Sequence, residues 1–86
     1  MKKQKIAIVT GGASGIGLAI ATSFVKNKIK TIIIGRDIKK LKVVKSSLGE
    51  NCEIISFDLT HRAGIVELIK KITKKYGSID ILVNNA

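Results

Sequence analysis

The glycines of the segment TGGASGIG, residues Thr10–Gly17, have the spacing of a loop that could hold a phosphate. Gly11, Gly15 and Gly17 carry no side chain, so the backbone N–H groups around them can approach a ligand closely. An apolar strand-like run precedes the segment and a helical pattern follows it, and a helix N-terminus favours negative charge. A pyrophosphate fits both features. The alternative is a tight turn that binds nothing.

The spacing of these glycines narrows the class of phosphate loop. It reads G-x-x-x-G-x-G, which differs from the G-x-G-x-x-G pattern that is commonest in dinucleotide-binding turns. No Lys-Ser or Lys-Thr pair follows the glycines, so the segment is not a P-loop. The prediction of a pyrophosphate site therefore depends more on the position of the turn, between a strand and a helix, than on its glycine content.

Other side chains with potential reactivity are few. The single cysteine, Cys52, excludes an intrachain disulfide, and it is interpreted as a small, half-buried apolar residue. Cysteine and histidine form no cluster with metal-ligand spacing, so no metal site is expected.

The elements that would position the turn alternate along the chain. Predicted strands cover Lys5–Thr10, Thr31–Gly35, Cys52–Asp58 and Ile79–Val83, and predicted helices cover Ile16–Lys26, Asp37 to about Leu48, and a segment ended by Gly77. Short, nearly all-apolar strands alternating with helices predict an α/β fold. Right-handed crossovers make it a doubly wound parallel sheet with strand order 3-2-1-4.

Two finer expectations concern the helices. The first helix is expected to be buried, because it is apolar on most sides. One face carries Ile16, Ala19, Ile20, Ser23 and Phe24, and Leu18, Ala21 and Val25 widen it. Asp37 is expected to cap the second helix, and Asp58 or Thr60 the third.

Composition limits the possible partners. The 86 residues suffice for one small domain or part of a larger one, and 16 Lys+Arg against 6 Asp+Glu give a net charge of +10. Such a balance can indicate a polyanionic partner, but two Phe and one Tyr provide no stacking platform for bases, so nucleic acid is ranked low. No apolar run is long enough for a membrane span or a secretory signal, which favours a cytoplasmic protein.

Three motifs together resemble those of the short-chain dehydrogenase/reductases. TGGASGIG follows the first strand, FDLT ends the third, and NNA follows the fourth, so the resemblance extends over the whole chain. It implies a Rossmann-type sheet that binds NAD or NADP. It also implies reversible hydride transfer between nicotinamide and an alcohol or carbonyl carbon.

The resemblance assigns cofactor contacts residue by residue. The residues that would hold the pyrophosphate and the nearby ribose are Thr10, Gly11, Ser14, Gly15, Ile16 and Gly17. Asp58 would accept a hydrogen bond from the adenine amino group, with Leu59 beside the ring. Asn84 and Ala86 would line the cofactor, and Asn84 would also tie neighbouring loops together, although Asn84-Asn85 is equally ordinary turn chemistry.

The end of the second strand separates the two nicotinamide cofactors. A carboxylate there binds the ribose hydroxyl and repels a 2′-phosphate, whereas an arginine binds the phosphate. By the resemblance, Gly35 takes the place of the acid and Arg36 that of the base, which favours NADP. Asp37 has the spacing of a ribose contact and keeps NAD as the alternative, although a helix cap is the preferred interpretation.

The catalytic groups of the family have no counterpart in this sequence. The family uses a serine and a tyrosine followed four residues later by a lysine, which makes the phenol an acid/base near neutral pH. Here the single tyrosine, Tyr76, is followed at that distance by Asp80. We expect Tyr76 to pack and Asp80 to be structural, and no residue is assigned a catalytic role.

We therefore expect residues 1–86 to be the N-terminal part of a single NAD(P)-binding Rossmann domain, without the C-terminal catalytic and substrate part. A full-length parent would act on a small molecule and could be a homo-oligomer. The fourth strand would then be an exposed edge, with two helices on one sheet face and one on the other. Two alternatives stay open: a non-catalytic nucleotide-binding module and a basic domain that binds polyanions.

Overall fold

The structure is a computed structural model that describes residues 4–85. Within that range four parallel strands form one sheet: β1 (Ile6–Thr10), β2 (Lys30–Gly35), β3 (Cys52–Ser56) and β4 (Ile81–Asn84). The helices between them are α1 (Gly15–Lys26), α2 (Ile38–Leu48) and α3 (Arg62–Tyr76). The strands lie in the order β3-β2-β1-β4, which confirms the predicted doubly wound fold and leaves β4 at an edge of the described sheet.

The two central strands are mostly apolar because they are covered on both faces. Every residue of β1 is buried, and so are the four central residues of β2. Parallel strands buried in this way lose the alternation of polar and apolar residues that a half-exposed strand shows. The β-branched residues of IAIVT and TIII suit this pleated, enclosed environment.

The two faces of the sheet are covered unequally in the described part of the chain. On one face α1 and α2 pack on Val9, Ile33 and Cys52. On the other, α3 packs on the isoleucines of β1 and β2 through Ile72 and its neighbours. Leu82 of β4 is in register with Ile8 and is 64% exposed. The predicted arrangement of two helices against one is confirmed.

Helix α1 is buried on a narrower face than predicted. Three residues of the predicted apolar face are exposed, Ile16, Ala19 and Ser23, so that part of the prediction is wrong. The fully buried residues are Ala21, which the predicted face included, and Gly17, which it did not. Gly17 is held against the carbonyl group of Gly11, and this contact fixes the rotation of the helix. Residues four apart share a face, so Ala21 faces the sheet with it.

The start of α3 also differs from expectation. The helix begins at Arg62 with His61 as its N-cap, and β3 ends at Ser56 rather than at Asp58. The predicted cap by Asp58 or Thr60 is wrong. The Asp58 carboxylate instead accepts hydrogen bonds from the N–H and hydroxyl of Thr60, as Asp side chains commonly do two residues ahead in the chain.

Two other acidic residues behave as expected. Asp37 caps α2, because its Oδ1 accepts from the backbone N–H groups of Lys39 and Lys40 at 3.0 and 3.3 Å. Asp80 is structural: its Oδ2 accepts from the Ile6 N–H at 2.8 Å, which joins the approach to β4 to the start of β1. β4 consequently begins at Ile81, two residues later than predicted.

The edge strand β3 carries a charged cluster. Glu53 Oε1 lies 3.3 Å from Lys45 Nζ and 3.4 Å from Lys30 Nζ. Partial burial acts to raise the pKa of the Glu53 carboxyl, but the two ammonium groups outweigh it and hold that pKa below its usual value. No helix in residues 4–85 combines the length and apolar character needed to cross a membrane.

Candidate functional site

A cleft of about 750 Å³ opens at the carboxyl ends of the strands. Its upper lining comes from residues that end or follow the strands: Thr10, Gly11, Ser14, Gly35, Arg36, Asp37, Asp58, Leu59, Thr60 and Asn84. The connections from β1 and from β3 lead to opposite faces of the sheet, so the cleft lies at a topological switch point. Ligands of doubly wound sheets bind at such points, and the volume suits a small molecule or cofactor.

The glycine-rich turn adopts backbone conformations that side chains disfavour. Gly11 and Gly15 have φ angles of +68° and +59°, in the left-handed region. The Gly11 N–H donates to the Ile34 carbonyl at 2.9 Å, which anchors the start of the turn to β2. A Cβ on Gly15 would meet no described atom within 4 Å, so the space beside it is open. These findings fit the tight turn and the close ligand approach expected of the two glycines.

Gly17 is required for a different reason, the close contact between α1 and the turn. A Cβ built there would overlap the Gly11 carbonyl and come within 2.6 Å of Asn85 Nδ2. Real Cβ atoms essentially never approach other atoms so closely. Gly17 was expected to let the helix pack on the strand, whereas the close contacts found are with the turn and with Asn85.

The N-terminus of α1 points its backbone N–H groups toward the turn. Ser14 is the N-cap in an extended conformation, and its side chain makes no capping hydrogen bond within the described residues. The first turn reads Gly15-Ile16-Gly17-Leu18 and contributes no carboxylate of its own. A helix start with this sequence is suited to an external anion.

The ends of β1 and β4 are joined by a group of hydrogen bonds around Thr10, which is 7% exposed. Its hydroxyl accepts from the Asn85 N–H at 2.9 Å. The hydroxyl proton has two acceptors within reach, Asn84 Oδ1 at 3.2 Å and the Val83 carbonyl at 3.3 Å. Asn85 Nδ2 also donates to the Gly11 carbonyl at 3.3 Å. The Asn84-Asn85 pair therefore ties β4 to the glycine-rich turn.

The ends of β2 and β3 are joined differently, by hydrogen bonds to two backbone carbonyl groups and by an exposed pair of charged side chains. The Phe57 N–H donates to the Gly35 carbonyl at 2.8 Å, and the Ser56 hydroxyl donates to the Arg36 carbonyl at 3.2 Å. Beyond these bonds, Arg36 Nη2 lies 3.9 Å from Asp58 Oδ2. The two side chains are 77% and 45% exposed. A long ion pair this exposed contributes little to stability, so both groups are available to a ligand.

The Asp58 carboxyl is held in its ionised form. Hydrogen bonds from the hydroxyl and the N–H of Thr60 lower its pKa most, and the positive charge of Arg36 lowers it further. Asp58 is therefore a permanent hydrogen-bond acceptor at neutral pH. Asp37 lines the same cleft, but one of its oxygens is occupied by the cap of α2.

The structure thus brings eight of the twelve predicted site residues into one cleft. Among the described residues, Gly15, Ile16 and Gly17 form the helix start beside the cleft rather than its lining, and Ile16 is 73% exposed. Ala86 lies outside the described residues.

Sequence reasoning missed three features of the site. Asn85 was treated only as turn chemistry, and Thr60 only as a possible cap. The apolar wall of the cleft was also missed; it consists of Phe57 and the α3 residues Ile65, Leu68 and Ile69. The helical spacing of Ile65, Leu68 and Ile69 can be read from the sequence, but spacing alone predicts an apolar helix face and not which part of that face lines a cleft.

No residue of the chain is assigned a catalytic role, and the structure describes the surroundings of its single tyrosine and single cysteine. Tyr76 lies at the far end of α3, packed in the cluster around Ile72, with Lys75 Nζ 5.4 Å from its ring centre. Burial raises the pKa of the Cys52 thiol, which makes it a poor nucleophile. Residues 4–85 contain no group of three or more potential metal ligands.

Comparison with known proteins agrees with this geometry. An uncharacterized oxidoreductase of Staphylococcus saprophyticus is 38% identical over 98% of this chain and 38% of its own length. The NADP-dependent 3-hydroxy acid dehydrogenase YdfG of Salmonella typhi is 41% identical over 94% of this chain and 33% of its own length. The chain thus spans 33–38% of the length of these curated relatives.

A solved structure shares the fold closely. A metagenomic short-chain oxidoreductase crystallised with NADP superposes with a TM-score of 0.91 at 32% identity, covering 98% of this chain and 39% of the other. The family model for short chain dehydrogenases matches residues 5–86. Together with the cleft at the switch point and the glycine-rich turn, this match shows that the chain belongs to the short-chain dehydrogenase family.

Proposed function

We propose that the cleft binds NADP and that residues 1–86 form the N-terminal, cofactor-binding part of an oxidoreductase. The observation that carries the proposal is the position of Arg36, exposed at the end of β2 in the same cleft as the glycine-rich turn. A guanidinium group there suits the 2′-phosphate that distinguishes NADP from NAD. The NADP-dependent relative from Salmonella typhi and the metagenomic NADP complex support the choice.

In this proposal each half of the cleft holds one part of the cofactor. The backbone of Thr10–Gly17 and the start of α1 hold the pyrophosphate and the nearby ribose. Arg36 binds the 2′-phosphate, Asp58 accepts from the adenine amino group, and Leu59 lies beside the ring. Asn84 and Ala86 line the cofactor further along.

NAD is the alternative cofactor, and the position of Asp37 bears on it. A ribose-binding acid must offer a free oxygen to the 2′-hydroxyl. Asp37 Oδ1 accepts from two backbone N–H groups of α2. This capping role weighs against a ribose contact and in favour of NADP.

The reaction of the whole protein is also part of the proposal. Bound NADP supplies a hydride acceptor, so the parent enzyme would transfer hydride between the cofactor and an alcohol or carbonyl group of a small molecule. The family's serine and Tyr-x-x-x-Lys set has no match in residues 1–86, so these residues alone would bind cofactor without turnover. We also propose that the whole protein is cytoplasmic and forms a homo-oligomer.

The test is a binding titration of the 86-residue chain with NADPH and NADH, followed by cofactor fluorescence. Arg36→Ala should weaken NADPH binding about tenfold or more, because a hydrogen bond to a charged group contributes about 1.5–3 kcal/mol. NADH binding should be unchanged. The matched control is Arg62→Ala, since the chain's other arginine begins α3.

Two results would count against the proposal. Equal losses for both cofactors in Arg36→Ala would remove the case for NADP. If the chain binds heparin with steep salt dependence but binds neither cofactor, the polyanion-binding alternative is favoured instead.

A further inference from the structure

The carboxylate of Asp58 has its two oxygens in different environments. Oδ1 accepts two hydrogen bonds from one residue, the Thr60 hydroxyl at 2.7 Å and the Thr60 N–H at 3.0 Å. Oδ2 is the oxygen nearest the guanidinium group of Arg36, with Nη2 at 3.9 Å. Both Asp58 and Thr60 line the cleft.

This division matters because Asp58 sits on an exposed connection between β3 and α3. An unrestrained carboxylate there could rotate freely, and fixing it on ligand binding would cost conformational entropy. It could also turn both oxygens toward Arg36, since a guanidinium and a carboxylate favour a two-bond, parallel pair. In such a pair Asp58 would not be free to bind adenine, and Arg36 would not be free to bind the 2′-phosphate.

We propose that Thr60 is a positioning residue for adenine selection. Its hydroxyl and N–H hold Asp58 Oδ1, so that Oδ2 stays available to the adenine amino group and Arg36 stays available to the phosphate. This role rests on the NADP site proposed above. Thr60 itself touches neither group of the cofactor in this arrangement.

The test compares NADP with nicotinamide hypoxanthine dinucleotide phosphate, in which a carbonyl oxygen replaces the adenine amino group. Wild-type protein should prefer NADP about tenfold, the value of a charge-assisted hydrogen bond. Thr60→Val removes the hydroxyl and keeps the size of the side chain, and it should reduce that preference about threefold. Thr60→Ser retains the hydroxyl and should preserve the preference.

A second measurement follows the Asp58 carboxyl directly in the ligand-free protein by carbon-13 NMR. The pKa of Asp58 should rise toward its ordinary value in Thr60→Val and stay low in Thr60→Ser, because the hydroxyl bond is the largest cause of the lowering. Arg36 and His61, the charged or titratable neighbours that also act on Asp58, are present in both variants. A general loss of structure in Thr60→Val would weaken the binding of both dinucleotides by the same factor and leave the preference for NADP unchanged.

The possible failures are distinguishable. If wild-type protein binds neither dinucleotide, the NADP proposal falls and this inference falls with it. If Asp58→Asn abolishes the preference for NADP while Thr60→Val leaves it unchanged, the NADP site stands and the positioning role of Thr60 is overturned. If Asp58→Asn also leaves the preference intact, Asp58 does not read the base, and Thr60 has nothing to position.

Discussion

The two halves of the cleft are built in different ways. Where β1 meets β4, the site consists of backbone and of buried hydrogen bonds centred on Thr10, and α1 touches the turn through Gly17. Where β2 meets β3, it consists of the exposed side chains Arg36 and Asp58, 3.9 Å apart. Substitutions in the β1–β4 half should therefore disturb the fold. Substitutions of Arg36 or Asp58 in the β2–β3 half should change ligand preference with little loss of stability. The variants below test that contrast.

The largest effect is expected for Gly17→Ala. The added Cβ has no space between the Gly11 carbonyl and the Asn85 side chain, so α1 must move away from the turn. We expect a loss of about 3 kcal/mol in the free energy of unfolding, as for severe overpacking, together with loss of cofactor binding. Chemical denaturation and the NADPH titration measure the two quantities. Ala19→Ser, on the exposed side of the same helix, is the control and should cost only about 0.5 kcal/mol in helix propensity, with no change in cofactor binding.

The next effect is expected for Thr10→Val, which has the same shape and no hydroxyl. The Asn85 N–H loses its acceptor, and the end of β4 loses a tie to β1. The expected cost is about 1–2 kcal/mol in the free energy of unfolding. Thr10→Ser keeps the hydroxyl and should retain most of the stability. A stable Thr10→Val protein would show that the β1–β4 half does not depend on this hydrogen-bond group.

A smaller effect is expected on the exposed side for Asp37→Ala. Loss of the cap of α2 should cost about 1 kcal/mol, and Asp37→Asn should cost less because asparagine also caps helices well. The affinities for NADPH and NADH should fall by the same small factor. If NADH binding falls selectively, Asp37 reads the ribose as well as capping α2, and the NADP assignment weakens.

The smallest effect is expected for Asp58→Asn, on the pH dependence of the melting temperature. The folded-state pKa of its carboxyl lies below the usual value, chiefly through the Thr60 hydrogen bonds. A lowered folded-state pKa adds stability above the unfolded chain's pKa, about 3.9, and this contribution is lost as the pH falls through the folded-state value. Asp58→Asn should therefore melt slightly below wild type at neutral pH and together with it in strong acid. A difference that is constant with pH would rule out the charge as its source.

The sequence was sufficient to predict much of the β1–β4 half. Glycine has few reasons to occur at Gly11, Gly15 and Gly17 other than backbone geometry or close contact, so the roles follow from residue type and spacing. The alternation of strands and helices likewise predicted the order β3-β2-β1-β4. These features depend on local propensity and on chain connectivity, which the sequence carries directly.

The β2–β3 half was harder to predict because the hydrogen bonds of its exposed side chains depend on which of several neighbouring partners they choose. Asp58 could have capped α3, but it bonds to Thr60 instead, and the sequence does not rank two short-range acceptors of similar quality. The face of α1 was misjudged because the contact between Gly17 and Gly11 outweighs the apolar character of Ile16. The long ion pair of Arg36 with Asp58 depends on how two connections lie in space.

The single thiol of this chain can be used to measure how often the surrounding structure opens. Cys52 lies at the start of the edge strand β3 and is fully buried beneath α2, and its raised pKa slows its reaction further. An alkylating reagent can reach it only when that region opens, so the rate of labelling reports the frequency of opening. Because Cys52 does not line the cleft, slower labelling in the presence of cofactor would show that ligand binding makes opening around β3 rarer.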